Sequence, residues 1–146
     1  MARLIVEYVN LKQAGAGLAQ AAGRLAAAHL AQGQRVLILA RDQAQARELD
    51  QGLWTFEPDS FLPHALAGGP DQDEEPVLIA TEAGNPNQAA VLIAAKGLGQ
   101  MPQAGFAHLI QLLPLEEGPE LNACRACYKA LKDAGQVELR HSTRLP

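Results

Sequence analysis

The sequence predicts an α/β fold of three layers, with a mostly parallel central sheet and helices on both faces. Three observations carry this expectation. Short branched-aliphatic runs alternate with helix-period segments in the first half of the chain. One run, Val36-Leu37-Ile38-Leu39, contains no polar position, as a strand buried on both faces requires. Most of the 13 Gly and 9 Pro fall between these segments rather than inside them. At 146 residues the chain reads as one domain, 1–146, large enough to bury a core without staples.

Residues 3–9 are rich in Leu, Ile, Val and Tyr and read as the first strand. Residues 10–15 connect it to a helix over 16–32, with Leu18, Ala22, Leu25, Ala26 and Leu30 along one side and Gly33 as its stop. The two opening strand–helix units predict a right-handed parallel crossover. Residues 35–40 form the second strand. Asp42 caps the next helix with Gln45 in the capping-box position. That helix carries Ala46, Leu49 and Leu53 and ends near Trp54. Residues 68–76 read as a solvated acidic loop. Strands are expected at 77–80, 89–94 and 108–113, with an irregular or weakly helical segment between Gly97 and Gly105. Pro119 suits the first turn of a last helix that runs to about Ala134 and stops at Gly135, followed by a short strand at 136–140.

Charge and composition exclude several classes. A net charge of −4 disfavours nucleic-acid binding by bulk electrostatics. No apolar run is long enough for a membrane span or a signal peptide, so a cytoplasmic protein with reduced cysteines is expected. Gly15, Gly17 and Gln20 follow the first strand, and Asp42 follows the second, in a partial dinucleotide-binding pattern. Gln20 stands where close helix packing calls for Gly or Ala, and Asp42 already has a capping role. A nucleotide-dependent enzyme using the turn at 15–20 is therefore the rival reading. Cys124 and Cys127 lie mid-helix with no second ligand pair, and read as buried apolar groups rather than a zinc or redox site. Glu116 and Glu117 are adjacent and point apart, a poor acid/base pair. No cofactor or metal is expected.

Two features point to binding instead. Three of the six aromatic residues, Trp54, Phe56 and Phe61, crowd into a Pro-punctuated stretch where regular structure is disfavoured. They either fold back on the core or anchor a partner. On the last helix, Arg125, Lys129 and Lys132 share one face and Cys124, Cys127 and Leu131 another, with Tyr128 at the border. This is either a solvated charged face or a small site for an acidic peptide or a terminal carboxylate.

The run Leu49-Asp50-Gln51-Gly52-Leu53-Trp54, then Ser60-Phe61-Leu62-Pro63-His64 and Leu66-Ala67-Gly68, resembles the chi subunit of bacterial DNA polymerase III holoenzyme. The segments Gly33 to Ile38 and Arg125 to Ala130 extend the resemblance over nearly the whole chain. Cys124, Cys127, the acidic residues of 69–75 and the tail after Gly135 depart from it. The resemblance implies a Rossmann-like fold without a phosphate loop and a clamp-loader accessory subunit with no catalytic site. It implies two partners, the psi subunit and the acidic C-terminal tail of single-stranded DNA-binding protein, with DNA met only indirectly and no membrane involved. It assigns Trp54, Phe61, Pro63, His64 and Leu66 to the psi surface and Arg125, Tyr128 and Lys129 to the tail site. It also raises a repair helicase as a competitor for the Trp54 surface.

Overall fold

The computed structural model describes residues 3–102 and 105–146. Its strands are β1 (Ile5–Val9), β2 (Val36–Leu39), β3 (Ala65–Leu66), β4 (Val77–Ala80), β5 (Val91–Ala94), β6 (His108–Leu112) and β7 (Glu138–Ser142). They form one sheet in the order β3-β4-β2-β5-β6-β1-β7, and every pairing is parallel. The expected three-layer α/β architecture is present. Helices α2 (Leu18–Leu30) and α3 (Gln43–Leu53) cover one face, and α4 (Pro119–Ala134) covers the other. β1 and β2 are parallel, but β5 and β6 stand between them.

The centre of the sheet is built from one repeated tetrapeptide. β2, β4 and β5 read Val-Leu-Ile followed by Leu or Ala, and all twelve positions are buried. Parallel register places Val36 beside Val77 and Val91, and Ile38 beside Ile79 and Ile93. Because side chains alternate, the Val and Ile ladders face α2 and α3, while Leu37, Leu78 and Leu92 face α4. Against the β-branched ladders α2 presents Ala21, Ala22 and Ala26, so the helix sits close to the sheet.

Local signals explain most element ends. Asp42 Oδ1 accepts from the Gln45 backbone N at 2.8 Å, and Gln45 Oε1 accepts from Arg41 N at 2.7 Å, a capping box shifted by one residue on its return bond. Pro119 opens α4, and Gly135 closes it in the left-handed region at φ 64°. Other boundaries differ from expectation. The connection at 10–15 contains a one-turn helix, α1 (Leu11–Ala14), capped by Asn10 and Gly15. The acidic loop holds a 3₁₀ turn, Gln72–Glu74, pinned from below: Arg35 donates to the Asp73 and Asn87 carbonyls, and Asn87 Nδ2 to that of Glu75. The two-residue β3 had no sequence signal, and β7 starts two residues later than expected. The segment at 97–105 is irregular where described; residues 103 and 104 lie outside the described residues.

The outer strand β7 is tied to the sheet by a polar bridge. Glu7 accepts from His108 Nε2 at 2.9 Å and from Ser142 Oγ at 2.6 Å, so one carboxylate links β6, β1 and β7. The His108 hydrogen bond, ahead of opposing burial, holds the Glu7 carboxyl below its ordinary range. A depressed carboxylate stabilises the fold above its unfolded pKa and loses that contribution as pH falls through the folded value. Glu7→Gln should therefore cost stability at pH 7, and the gap to wild type should close on acidification below about pH 4, the unfolded carboxylate range. Urea titrations at several pH values check this.

α2 and α3 touch at a glycine. A Cβ on Gly52 would lie 2.4 Å from the Ala19 Cβ, an atom with no rotamer to yield. Gly52→Ala should destabilise by about 1–3 kcal/mol through overpacking, outweighing the roughly 1 kcal/mol of helix propensity it gains. Urea unfolding measures the net sign.

Candidate functional site

The aromatic stretch splits between the two fates open to it. Phe56 is half-buried on the α2 side of the core, and its ring lies over Gly23, where a Cβ would meet Cγ at 2.5 Å. Trp54 and Phe61 turn outward, 52% and 74% exposed, with ring centroids 5.9 Å apart. Beneath Trp54, at 4.5 Å, lies His64, whose side chain is fully shielded. Its ring is clamped between the Leu62 carbonyl at Nδ1, 2.7 Å, and the Asp50 carbonyl at Nε2, 3.0 Å, with Asp50 Oδ1 at 3.3 Å. The motif spacing thus has a physical basis. Leu49, Leu53 and Leu62 enter the core, and His64 staples the loop to α3. The result is a rigid seat for two exposed rings. Pro63 and Leu66 are half-buried nearby in sequence, Leu66 on β3 and packed on the α2–α3 core.

A second feature lies toward the opposite edge of the sheet. A groove of about 580 Å³ opens at the C-terminal ends of β1, β6 and β7, the end where open parallel sheets present ligand sites. Tyr8, Leu113, Leu121 and Cys124 give it an apolar lining. Lys12, Arg125 and His141 supply basic groups, and Tyr128 packs edge-on against Tyr8 with centroids 5.2 Å apart. Arg125 and Tyr128 are therefore brought together on one groove. Lys129 is exposed on the same helix but is not among the lining residues. The Arg125 fork is already engaged: both terminal nitrogens donate to Glu117, each at 3.0 Å. That bond holds the Glu117 carboxyl below its ordinary range.

Tyr8, Lys12, Leu115 and Glu117 belong to this groove, and sequence reasoning missed their part in it. They arrive from separate segments, and only the parallel pairing of β1 with β6 and β7 assembles them. The Tyr8 hydroxyl is buried without an oxygen or nitrogen partner among the described residues, beside the Cys127 thiol. Burial pushes the phenol far above its ordinary range, and it raises Cys124 as well. Tyr8→Phe should leave unfolding free energy within about 0.5 kcal/mol of wild type, because at most a weak contact to the Cys127 thiol is lost. A urea-measured loss beyond about 1.5 kcal/mol would show that the hydroxyl is engaged.

Next to this groove lies an acidic crevice at the ends of β2, β5 and β6, walled by Glu48, Glu116, Glu117, Glu120 and Arg41. The N-terminal residue of α2, Leu18, reaches it. Four carboxylates face one guanidinium there, and Arg41 is itself paired with Asp42 and Glu120. A phosphate would meet net negative charge. α1 also intervenes between β1 and α2, and the Asp42 side chain is spent on its helix cap. Nothing in this geometry favours the nucleotide reading. Nor does the Ser142–Glu7–His108 chain form a nucleophilic relay, since the carboxylate rather than the imidazole sits in the middle.

Known proteins resemble this chain over most of its length. Residues 6–138 match the family described as DNA polymerase III chi subunit, HolC. The chain is 33% identical over 112 residues to DNA polymerase III subunit chi of Escherichia coli (strain K12), covering 76% of each chain. It is 31% identical over 129 residues to the subunit of the same name from Pseudomonas aeruginosa, covering 87% of this chain and 86% of the relative. The two exposed rings on their His64 seat and the cation-rimmed groove thus belong to a chain that is a member of the DNA polymerase III chi subunit family.

Proposed function

We propose that this protein is a non-catalytic bridge within the DNA polymerase III holoenzyme, acting in the cytoplasm. Its family places it in DNA replication. One surface, centred on Trp54 and Phe61 with Pro63, His64 and Leu66 around it, docks the psi subunit and through it the clamp loader. The other, centred on Arg125 and Tyr128 with Lys129 beside them, takes the acidic, Phe-terminated tail of single-stranded DNA-binding protein. A repair helicase competes for the first surface, and DNA is reached only through these partners.

The observation that carries this reading is the pairing of unlike surfaces on one rigid sheet. Two large rings stand exposed near the β3 end, and an apolar groove with a cationic rim opens at the β1–β7 end. β3 and β1 are five strand steps apart in the sheet order, about 24 Å at the usual spacing. Both partners therefore fit at once, and linking two modest contacts raises effective concentration at the replication fork.

Trp54→Ala should weaken psi binding by on the order of 2 kcal/mol while tail-peptide affinity stays unchanged. Lys129→Ala should do the reverse, weakening the peptide by roughly two- to five-fold, the scale of one exposed charge contact. Raising salt should weaken the tail contact far more than the psi contact. Calorimetric titration of each variant with psi and with the peptide separates the two surfaces; equal losses at both would refute independent sites.

A further inference from the structure

The groove's principal cation is not free. Arg125 Nη1 donates to Glu117 Oε2 and Nη2 to Oε1, both at 3.0 Å, the fork-to-fork arrangement that an incoming carboxylate would itself adopt. Both side chains are open to water, 58% and 75% exposed, so this pair adds little to folding stability. Glu117 belongs to no helix or strand. It sits in the connection between β6 and α4, where a change of its position would break no helix or strand hydrogen-bond ladder. Lys12, another cation of the groove, also acts on Glu117 and favours its ionised form. A single internal carboxylate is thus attracted by two of the groove's cations. Glu117 also lines the neighbouring acidic crevice, where Glu48, Glu116 and Glu120 oppose a further negative charge. A Glu117 displaced into that crevice would meet like charge, which favours its return to Arg125.

We propose that Glu117 is a built-in competitor that holds the place of the ligand's carboxylate on Arg125 in the free protein and is displaced when an acidic peptide docks. The proposal rests on the reading of this groove as a site for an acidic tail. Its consequence is an affinity lower than the groove's cations alone would give, and correspondingly faster release. That suits a contact which must be remade as single-stranded DNA is exposed and covered.

The test is a double-mutant cycle read by titration of a fluorescent, Asp-rich peptide ending in a free Phe carboxylate. Glu117→Gln removes the charge and keeps the shape; melting curves for each variant confirm folding. We expect Glu117→Gln to tighten peptide binding by about two- to five-fold, the scale of one exposed ion pair. Arg125→Gln should weaken binding, and adding Glu117→Gln to it should restore nothing. Equal tightening in both backgrounds would mean only long-range repulsion by Glu117. Unchanged or weaker binding by Glu117→Gln alone would mean that Glu117 is inert or orients Arg125 for the ligand. Each of these results overturns the proposal while leaving the tail site standing. Peptide binding indifferent to Arg125→Gln would instead remove the tail site, and the proposal with it.

Discussion

The Val-Leu-Ile ladders at the centre of the sheet set the conditions for everything else in this molecule. Identical residues on β4, β2 and β5 stand side by side in parallel register, and none of them reaches water. A strand buried on both faces needs a covering layer on each, which brings α2 and α3 to one side and α4 to the other. Parallel pairing also sends every strand's C-terminal end to the same rim. The polar side chains this core does bury, such as Asn87 and Gln111, are spent on backbone carbonyls, so the groups with binding chemistry are driven to that rim and to the two edges of the sheet.

The two candidate surfaces follow from this displacement in different ways. The Trp54–Phe61 surface is made within one stretch of chain, from the end of α3 to β3. Its leucines are pulled into the core while His64, held by two carbonyls, props up the indole from below. The groove is assembled from distant segments: Tyr8 and Lys12 from the start of the chain, Leu113 and Glu117 from beyond β6, Arg125 and Tyr128 from α4, and His141 from β7. Its existence depends on β1 lying between β6 and β7. The Glu7 bridge across those three strands is therefore part of what holds the groove's walls together.

Electrostatics at the rim separates two cavities that share a wall. Pro114, Leu115 and Glu117 line both. On one side Lys12, Arg125 and His141 gather around an apolar hollow; on the other, glutamates predominate around Arg41. A fold whose switch-point crevice elsewhere serves nucleotides here places negative charge at that position and gathers its cations toward the β7 edge. The partial glycine pattern at 15–20 is accounted for by backbone turns: Gly15 ends α1 in a left-handed conformation and Gly17 begins α2.

Local chemistry was legible in the sequence wherever one segment decides its own structure. Asp42 and Gly135 announce helix ends, apolar runs announce buried strands, and the alternation of Cys124, Cys127 and Leu131 with Arg125, Lys129 and Lys132 on α4 orients that helix correctly. The motif from Leu49 to His64 also declared itself, because its parts are close in sequence. Tertiary packing alone decided the rest. Whether Phe56 or Trp54 would be buried depended on Gly23 in another helix offering a ring-sized gap. The two-residue β3 exists because β4 offers it a free edge. Arg125 and Glu117 pair within one segment, but their meeting with Tyr8 and Lys12 in one groove is a product of strand order. Periodicity and capping act over a few residues, whereas strand order is fixed by burial summed over the whole chain, and no local pattern encodes it.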